Sequence, residues 1–531
     1  MDSWLDRDGH PATRQELHYG ARLIRCFIER PSSVHAMLES AVARRPQGLA
    51  LICGEERLSY AELDARVAEA AGGLRALGVE KGDRVAIVLG NGIAFVVVLY
   101  AVARLGAISV PLNTRHTLTE NSHIIEDCAA KIVVHEADLA DRVPAPDLIA
   151  SLKHAVALPR DGRSRLAELR GSAPVGTAEA VGEEETATIL YTSGTTGRPK
   201  GAMLTHLGIA HSVIHYRVTM RLTEDDRGLL AVPMSHVTGL IALVHLMVHC
   251  AATQVVMPAF KASEFIDLAA RHRITYSLIV PAMFNLCLLA PNLEEADLSH
   301  WRVSGYGGAI MPEATLERIA ERLPKLKLLN CYGATETTSP AAIMPPEHTV
   351  ARKEFVGLAV SCGDILVMDS NGVEAPRGEA GEIWIAGAMV VPGYFNNPEA
   401  TAREFAAGYW KSGDLGIMDE KGYLRVIDRL KDVINRGGFK IYASEVENVL
   451  LEHPAILEVA VVAKPCPVLG ERVHAFVVLR QAVEETELQR HCADLLSDYK
   501  IPETFRRLEG ALPRNANGKV LKRNLREILV A

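Results

Sequence analysis

RVAIVLGNGIAFVVVLYAVARLGAISV, residues 84–110, decides the fold. RVAIVL is a short apolar run rich in β-branched residues, GNG a turn, AFVVVLYAVARLG a run of helical length, and AISV a second strand. Strand, helix and strand in so little chain make a βαβ unit, whose crossover places its two strands parallel. The apolar runs TATILY (186–191), TQVVM (253–257), TYSLIV (275–280) and LKLLN (326–330) continue the alternation, separated by segments of helical period such as EATLERIAERL (313–323). The expectation is an α/β architecture of mostly parallel strands. No GxGxxG follows the strand at 84–90, so the unit is not read as a dinucleotide-binding one.

At 531 residues the chain is too long for one ordinary core. GSAPVGTAEAVGEEET (171–186) is small, acidic and short of large apolar residues, which reads as an exposed connector. Between 380 and 427 the character changes to short strands with turn residues, GEIWIAG and YLRVID among them, giving a small antiparallel section. Beyond DRLKD (428–432) the rest reads as a compact α+β unit with strands LEVAVVA and RVHAFVVL. Ser444 with Glu447 three residues on predicts a capping box at the start of its first helix. The expected organisation is a large N-terminal domain over 1–430, with parallel sheets layered with helices plus the small β section. A smaller, mobile α+β domain over 431–531 follows, with its hinge at about Lys431.

Composition narrows the function classes. There are 57 basic and 65 acidic residues, a net charge of −8, and no basic block of the kind that follows a nucleic-acid backbone. The first residues, MDSWLDRDGHPATRQ, are charged from the second position, unlike a secretory leader. The longest apolar stretches, near 92–103 and 237–252, are short or broken by Thr and His, which predicts buried helices and no membrane span. Nine cysteines without a CxxC pair fit reduced thiols, and a cytoplasmic location is expected.

The densest polar motif is YTSGTTGRPKGAMLTH, residues 191–206. Its glycines admit close backbone approach, Ser193, Thr195 and Thr196 bring hydroxyl donors, and Lys200 brings a positive charge on a long stem. That set suits phosphate, although the spacing is not that of a Walker loop and a solvated turn has the same composition. Further motifs follow in order: PMSHVTG (233–239), GYGGA (305–309), NCYGATE (330–336), YWKSGD (409–414), DRLKDVINRGGFKI (428–441) and PRNANGK (513–519).

Taken together, the seven motifs resemble the adenylate-forming superfamily, from about residue 35 to the C-terminus, and within it the acyl-CoA synthetases most. The resemblance implies that a carboxylic acid is activated with ATP and Mg2+ to an acyl-adenylate, which coenzyme A then attacks. It implies a pyrophosphate clamp of Thr192, Ser193, Gly194, Thr195, Thr196, Gly197 and Lys200, and a metal site at Glu336 assisted by Thr192. Gly307, Gly308, Ala309, Tyr332, Gly333 and Thr335 would border the adenine and the acyl group, while Asp414 and Arg429 would hold the ribose. Lys519 is the implied catalytic lysine of adenylation, Lys431 the hinge, and Gly437, Gly438 and Lys440 the border of the pantetheine tunnel. Each has a plainer reading: Glu336 as a helix-start charge, Tyr332 as packing, Asp414 in a surface turn, Gly437–Gly438 as a β-turn.

By the same resemblance His236 gates or lines the acyl pocket, with packing in the core as its rival. The implied lining of Val237, Thr238, Gly239, Met283, Gly307, Ala309 and Thr337 contains no Lys or Arg, which favours an acid with an uncharged tail. Partners are thus that acid and coenzyme A, with a homodimer also expected. An acyl-AMP ligase serving a carrier-protein thiol, and a silent protein retaining the fold, are the alternatives. The pairs His211/His215 and His245/His249 lack the glutamate of a zinc protease and read as helix faces.

Overall fold

The computed structural model describes residues 2–530 apart from 8, 160–168, 170–172, 193–198, 310 and 515–519. It divides into two compact units. One comprises Met1–Ile365, Ile385–Lys411 and Lys421–Tyr423; the other comprises Leu366–Trp384, Ser412–Glu420 and Leu424–Ala531. The division is less simple than one boundary near Lys431, because segments of the small β section group with the C-terminal part.

The first unit holds two large sheets. In one, the strands run Lys200–Thr205, Thr186–Thr192, Ile108–Pro111, Arg84–Val88, Ile132–Glu136, His154–Leu158, with only Lys200–Thr205 antiparallel to its neighbour. Val85, Ala86, Ile87 and Val88 are all buried, as expected for a parallel strand covered on both faces. The helix of the expected βαβ unit is Ile93–Arg104, and every one of its residues is buried. It packs on the helices Val34–Arg44 and Tyr60–Ala76 and on strands of both sheets, which is why it is apolar all round. Arg104 ends it inside the protein, where the Asp64 carboxylate, the Val175 carbonyl (3.0 Å) and His35 Nε2 (3.3 Å) accept from its guanidinium.

The second sheet runs Leu358–Ala359, Ala342–Ile343, Lys327–Tyr332, Val303–Tyr306, Tyr276–Ile279, Arg227–Leu230, Thr253–Val256, Leu49–Cys53, Glu56–Ser59. Its middle is parallel and its two ends antiparallel. The stretch near 237–252 forms short helices around a π-helical segment, Leu240–His245. Among the described residues, no helix is long and apolar enough to cross a membrane, and all nine cysteines are free.

In the second unit, Leu424–Arg429 pairs antiparallel with the Asp414–Met418 end of Tyr409–Met418. A separate sheet runs Phe439–Ile441, Ile434–Arg436, Gly470–Leu479, Ile456–Cys466, with Thr504–Arg507 parallel to Gly470–Leu479. The alternation of its strands loads both faces: Val461, Val473 and Val477 join Val446 and Leu450 in one core, while Ala460, Val462, Phe476 and Leu525 form the other. The capping box expected at Ser444 is not formed. Tyr442 is the N-cap residue of the helix Ala443–Leu451, and Ser444 lies in its first turn. Ser444 Oγ instead donates to the Ile427 carbonyl at 2.6 Å, and Glu447 accepts from Val461 N at 2.7 Å and pairs with Lys522. Both polar groups serve tertiary contacts, which outbid the local cap.

Candidate active site

Four neighbouring parallel strands, Arg227–Leu230, Tyr276–Ile279, Val303–Tyr306 and Lys327–Tyr332, open their C-terminal ends on the same edge of the second sheet. The motifs PMSHVTG, GYGGA and NCYGATE all leave from that edge, as does Met283 in the helix Pro281–Leu288. In open α/β sheets this edge is where ligands bind. Gly307 lies so close to the neighbouring strand that a Cβ there would stand 2.3 Å from the Cys331 carbonyl oxygen, and Gly308 has φ +78°. Only glycines let this turn run flat along the strand tip. Gly308 and Ala309 are exposed, and Tyr332 is partly exposed.

His236 caps the helical turn Val237–Gly239, its Nδ1 accepting from Thr238 N at 3.3 Å. Burial pushes its pKa down to about 4, so the ring is neutral at pH 7. Gly239 has no room for a side chain, since a Cβ would meet the Pro233 oxygen at 2.2 Å. The π-helical segment follows directly, a device frequent at functional sites.

Past Tyr332 the chain turns through Gly333 into the 3₁₀ turn Thr335–Thr337, closed by Ala334 N donating to Thr337 Oγ1 at 2.9 Å. Glu336 sits in this turn, 7 % exposed. Its Oε1 accepts from Thr192 Oγ1 at 3.4 Å and from the Tyr394 hydroxyl at 2.9 Å. Among the described residues, no donor reaches Oε2. Thr192 ends its strand directly opposite Lys200 in the antiparallel register. The loop between them carries Ser193, Gly194, Thr195, Thr196 and Gly197, which lie outside the described residues.

Lys200 itself is buried. Its Nζ is 2.5 Å from Glu404 Oε2 and 4.2 Å from the centre of the Tyr394 ring. The Tyr394 hydroxyl also touches Glu404 Oε2, at 2.7 Å, so one phenol joins two carboxylates. Burial would raise the Glu404 carboxyl, but its hydrogen bonds, that from Lys200 first, outweigh it and hold the pKa below its ordinary value. Burial, then Glu336 and Glu404, push the Tyr394 hydroxyl upward, so it stays protonated. Neither Tyr394 nor Glu404 was drawn from the sequence: they lie some two hundred residues beyond Lys200 in a stretch without phosphate-loop chemistry, and only the fold joins them.

The second unit carries the other expected residues. Asp414 is 5 % exposed and faces Arg429 across the strand pair, Arg429 Nε standing 2.6 Å from Asp414 Oδ1. Asp414 N donates to Ser412 Oγ at 3.0 Å, which orders the Ser-Gly-Asp corner. Lys431 lies in the 3₁₀ turn Leu430–Asp432, and burial lowers its pKa while Asp432 opposes that shift. Arg526 holds this turn, donating to Asp432 Oδ1 at 2.5 Å and to the Lys431 carbonyl at 3.3 Å. Gly437 and Gly438, at φ +60° and +94°, form the two-residue connection between Ile434–Arg436 and Phe439–Ile441, and Lys440 is exposed. A hairpin turn of that kind needs positive φ at both positions. Lys519 lies outside the described residues, although Arg514 and Val520 on either side of that segment form a bridge.

Among the described residues one cluster has the spacing of a metal site, Glu16, His18 and Cys26. Its chemistry is already spent: Glu16 is held by Arg30 (2.7 and 3.0 Å) and Arg14 (2.7 Å), and burial pushes the Cys26 thiol up to about 12. The oxygen pair Thr192 and Glu336 fits a hard divalent cation better.

The family model described as AMP-binding enzyme matches residues 38–395, and that of the AMP-binding enzyme C-terminal domain matches 445–519. The chain belongs to the AMP-binding enzyme family. Within it, the chain is 35 % identical to the long-chain-fatty-acid–CoA ligase FadD13 of Mycobacterium tuberculosis, over 89 % of this chain and 93 % of that one. It is 34 % identical to a feruloyl-CoA synthase of an Amycolatopsis species, over 91 % and 96 %. The o-succinylbenzoate CoA synthetase (MenE) of Bacillus subtilis, solved with its acyl-adenylate intermediate, superposes with a TM-score of 0.84 at 31 % identity, covering 92 % and 97 %. The same protein solved with ATP and a magnesium ion gives 0.84 at 30 % identity, over 95 % and 100 %. This AMP-binding enzyme thus has the mixed α/β fold of that family, a large N-terminal part followed by a smaller C-terminal one.

Proposed function

We infer that this AMP-binding enzyme is an AMP-forming carboxylate–CoA ligase. The acid's carboxylate oxygen attacks the α-phosphorus of ATP, the α–β bond breaks, and pyrophosphate leaves; the thiol of coenzyme A then attacks the acyl carbon and AMP departs. The observation that carries the reading is the hydrogen bond from Thr192 to Glu336, which joins the tip of the phosphate-loop strand to the YGATE turn of the other sheet. Mg2+, when bound, supplies charge neutralisation of the phosphates. Glu336 Oε2 and the Thr192 hydroxyl are the groups that would hold it.

Tyr332 and the Gly307–Ala309 turn offer adenine a flat surface, and Asp414 with Arg429 offers the ribose two acceptors and a donor fork. Lys519, on the domain from about Lys431 onward, would stabilise the charge that develops at the α-phosphate. Neutral His236, with Met283 and Val237 near the strand ends, favours an acid with an uncharged tail, since none of these three would neutralise a second carboxylate. The free thiols agree with a reducing cytoplasm.

A screen of aliphatic, alicyclic, aromatic and dicarboxylic acids for pyrophosphate release, with and without coenzyme A, tests the reading. Acid-dependent release with uncharged-tail acids, and acyl-CoA only when coenzyme A is present, is the expected outcome. Release without any acyl-CoA would point to a carrier-protein thiol, and no release with any acid would remove the enzymatic reading.

A further inference from the structure

We propose that Lys200, Glu404 and Tyr394 form a buried positioning relay for the Glu336 carboxylate, and that Lys200 serves adenylation through this relay and not as a phosphate ligand. The proposal rests on the reading that Glu336 takes the divalent cation.

The contacts run in one line: Lys200 Nζ to Glu404 Oε2 at 2.5 Å, Tyr394 hydroxyl to the same oxygen at 2.7 Å, and the same hydroxyl to Glu336 Oε1 at 2.9 Å. Lys200 is 6 % exposed, with its ammonium already occupied by a carboxylate and a ring face. Turning it toward a phosphate would leave Glu404 without its buried cation, a costly exchange. The support is rigid. Tyr394 is bridged to Ala202, its N–H donates to Thr401 Oγ1 at 3.0 Å, Phe395 N donates to the Gly201 oxygen at 2.7 Å, and Val391 N donates to the Glu336 carbonyl at 2.9 Å.

A phenol has one proton and here faces two carboxylates, so it satisfies one at a time. Lys200 and Arg403 already serve Glu404, which leaves the phenol proton for Glu336 Oε1. That fixes the carboxylate plane with Oε2 turned away from its anchors. When a cation takes up the charge of Glu336, the hydroxyl can rotate to Glu404 without loss of a partner. The three groups therefore keep the metal carboxylate oriented and tolerant of both loaded and empty states.

The test is Mn2+ binding followed by electron paramagnetic resonance, on the full-length protein with a non-hydrolysable ATP analogue. Tyr394→Phe keeps the ring over Lys200 and removes only the hydroxyl; Glu404→Gln keeps the shape and removes the charge. Each is expected to weaken Mn2+ about ten-fold, as loss of a group behind a metal ligand commonly does. Metal-free affinity for the analogue should be unchanged in both and in Lys200→Met, and Lys200→Arg should recover Mn2+ affinity that Lys200→Met loses. Mn2+ affinity unchanged in Tyr394→Phe and Glu404→Gln but lost in Glu336→Gln would overturn the relay and leave the metal reading standing. Mn2+ affinity unchanged in Glu336→Gln would remove the metal reading itself. Weakened metal-free binding in Lys200→Met would return Lys200 to the phosphates.

Discussion

Asp414 is a carboxylate in a place where water barely reaches it, and the Arg429 guanidinium stands against it. Such a pair presents one oxygen row to a ligand while its back is neutralised. Asp414→Asn retains the shape and loses the charge, so a charge-assisted bond to a ribose hydroxyl becomes an ordinary one. The KM for ATP is expected to rise about ten-fold, with thermal stability altered far less; initial-rate kinetics beside a thermal melt check both. At this scale the sequence offers candidates where residue type and motif coincide, Glu336, Asp414 and Arg429 among them. It is not legible for Tyr394 and Glu404, whose chemistry exists only after two sheets bring distant segments together.

The helix His206–Met220 shows what histidines do when they are not catalytic. His206 Nδ1 accepts from Val34 N at 3.1 Å, His211 Nε2 from Phe27 N at 3.0 Å, and His215 Nε2 from Cys362 N at 3.2 Å. The HxxxH pair thus ties its helix to two backbone segments and His206 ties it to a third, as the reading as a helix face allowed. Burial lowers all three pKa values, those of His206 and His211 to about 4. Each ring must be neutral in the folded protein, while in the unfolded chain it takes a proton near pH 6.5. Stability from this source is therefore complete above pH 6.5 and is lost as pH falls towards about 4. Urea unfolding between pH 7.5 and 4.5 should show that fall. His211→Phe should cost about 1–3 kcal/mol at pH 7.5, by orphaning the Phe27 N–H, and should flatten the pH dependence. The Ser444 helix teaches the converse. Its sequence satisfied a local cap, yet the side chains bond to Ile427 and Val461 instead, a tertiary competition no local pattern records.

At the scale of the whole molecule, the alternation read from 84–110 extends to two layered sheets, because a helix apolar on every side needs covering from every side. The strand order could not be read in advance: the hairpin Leu49–Cys53 and Glu56–Ser59 joins the second sheet beside Thr253–Val256, some two hundred residues on, while Arg84–Val88 and Ile108–Pro111 between them in sequence join the first. What that order does is bring the ends of three motif-bearing strands to one edge, the edge to which the proposed site is assigned. The chemistry proposed there has one direct signature, the transfer of a carboxylate oxygen to AMP. With the acid that gives the fastest pyrophosphate release, labelled with 18O in both carboxylate oxygens, AMP isolated after complete conversion to acyl-CoA should carry one 18O and pyrophosphate none. Label in pyrophosphate or phosphate, or unlabelled AMP beside acyl-CoA, would contradict an acyl-adenylate route.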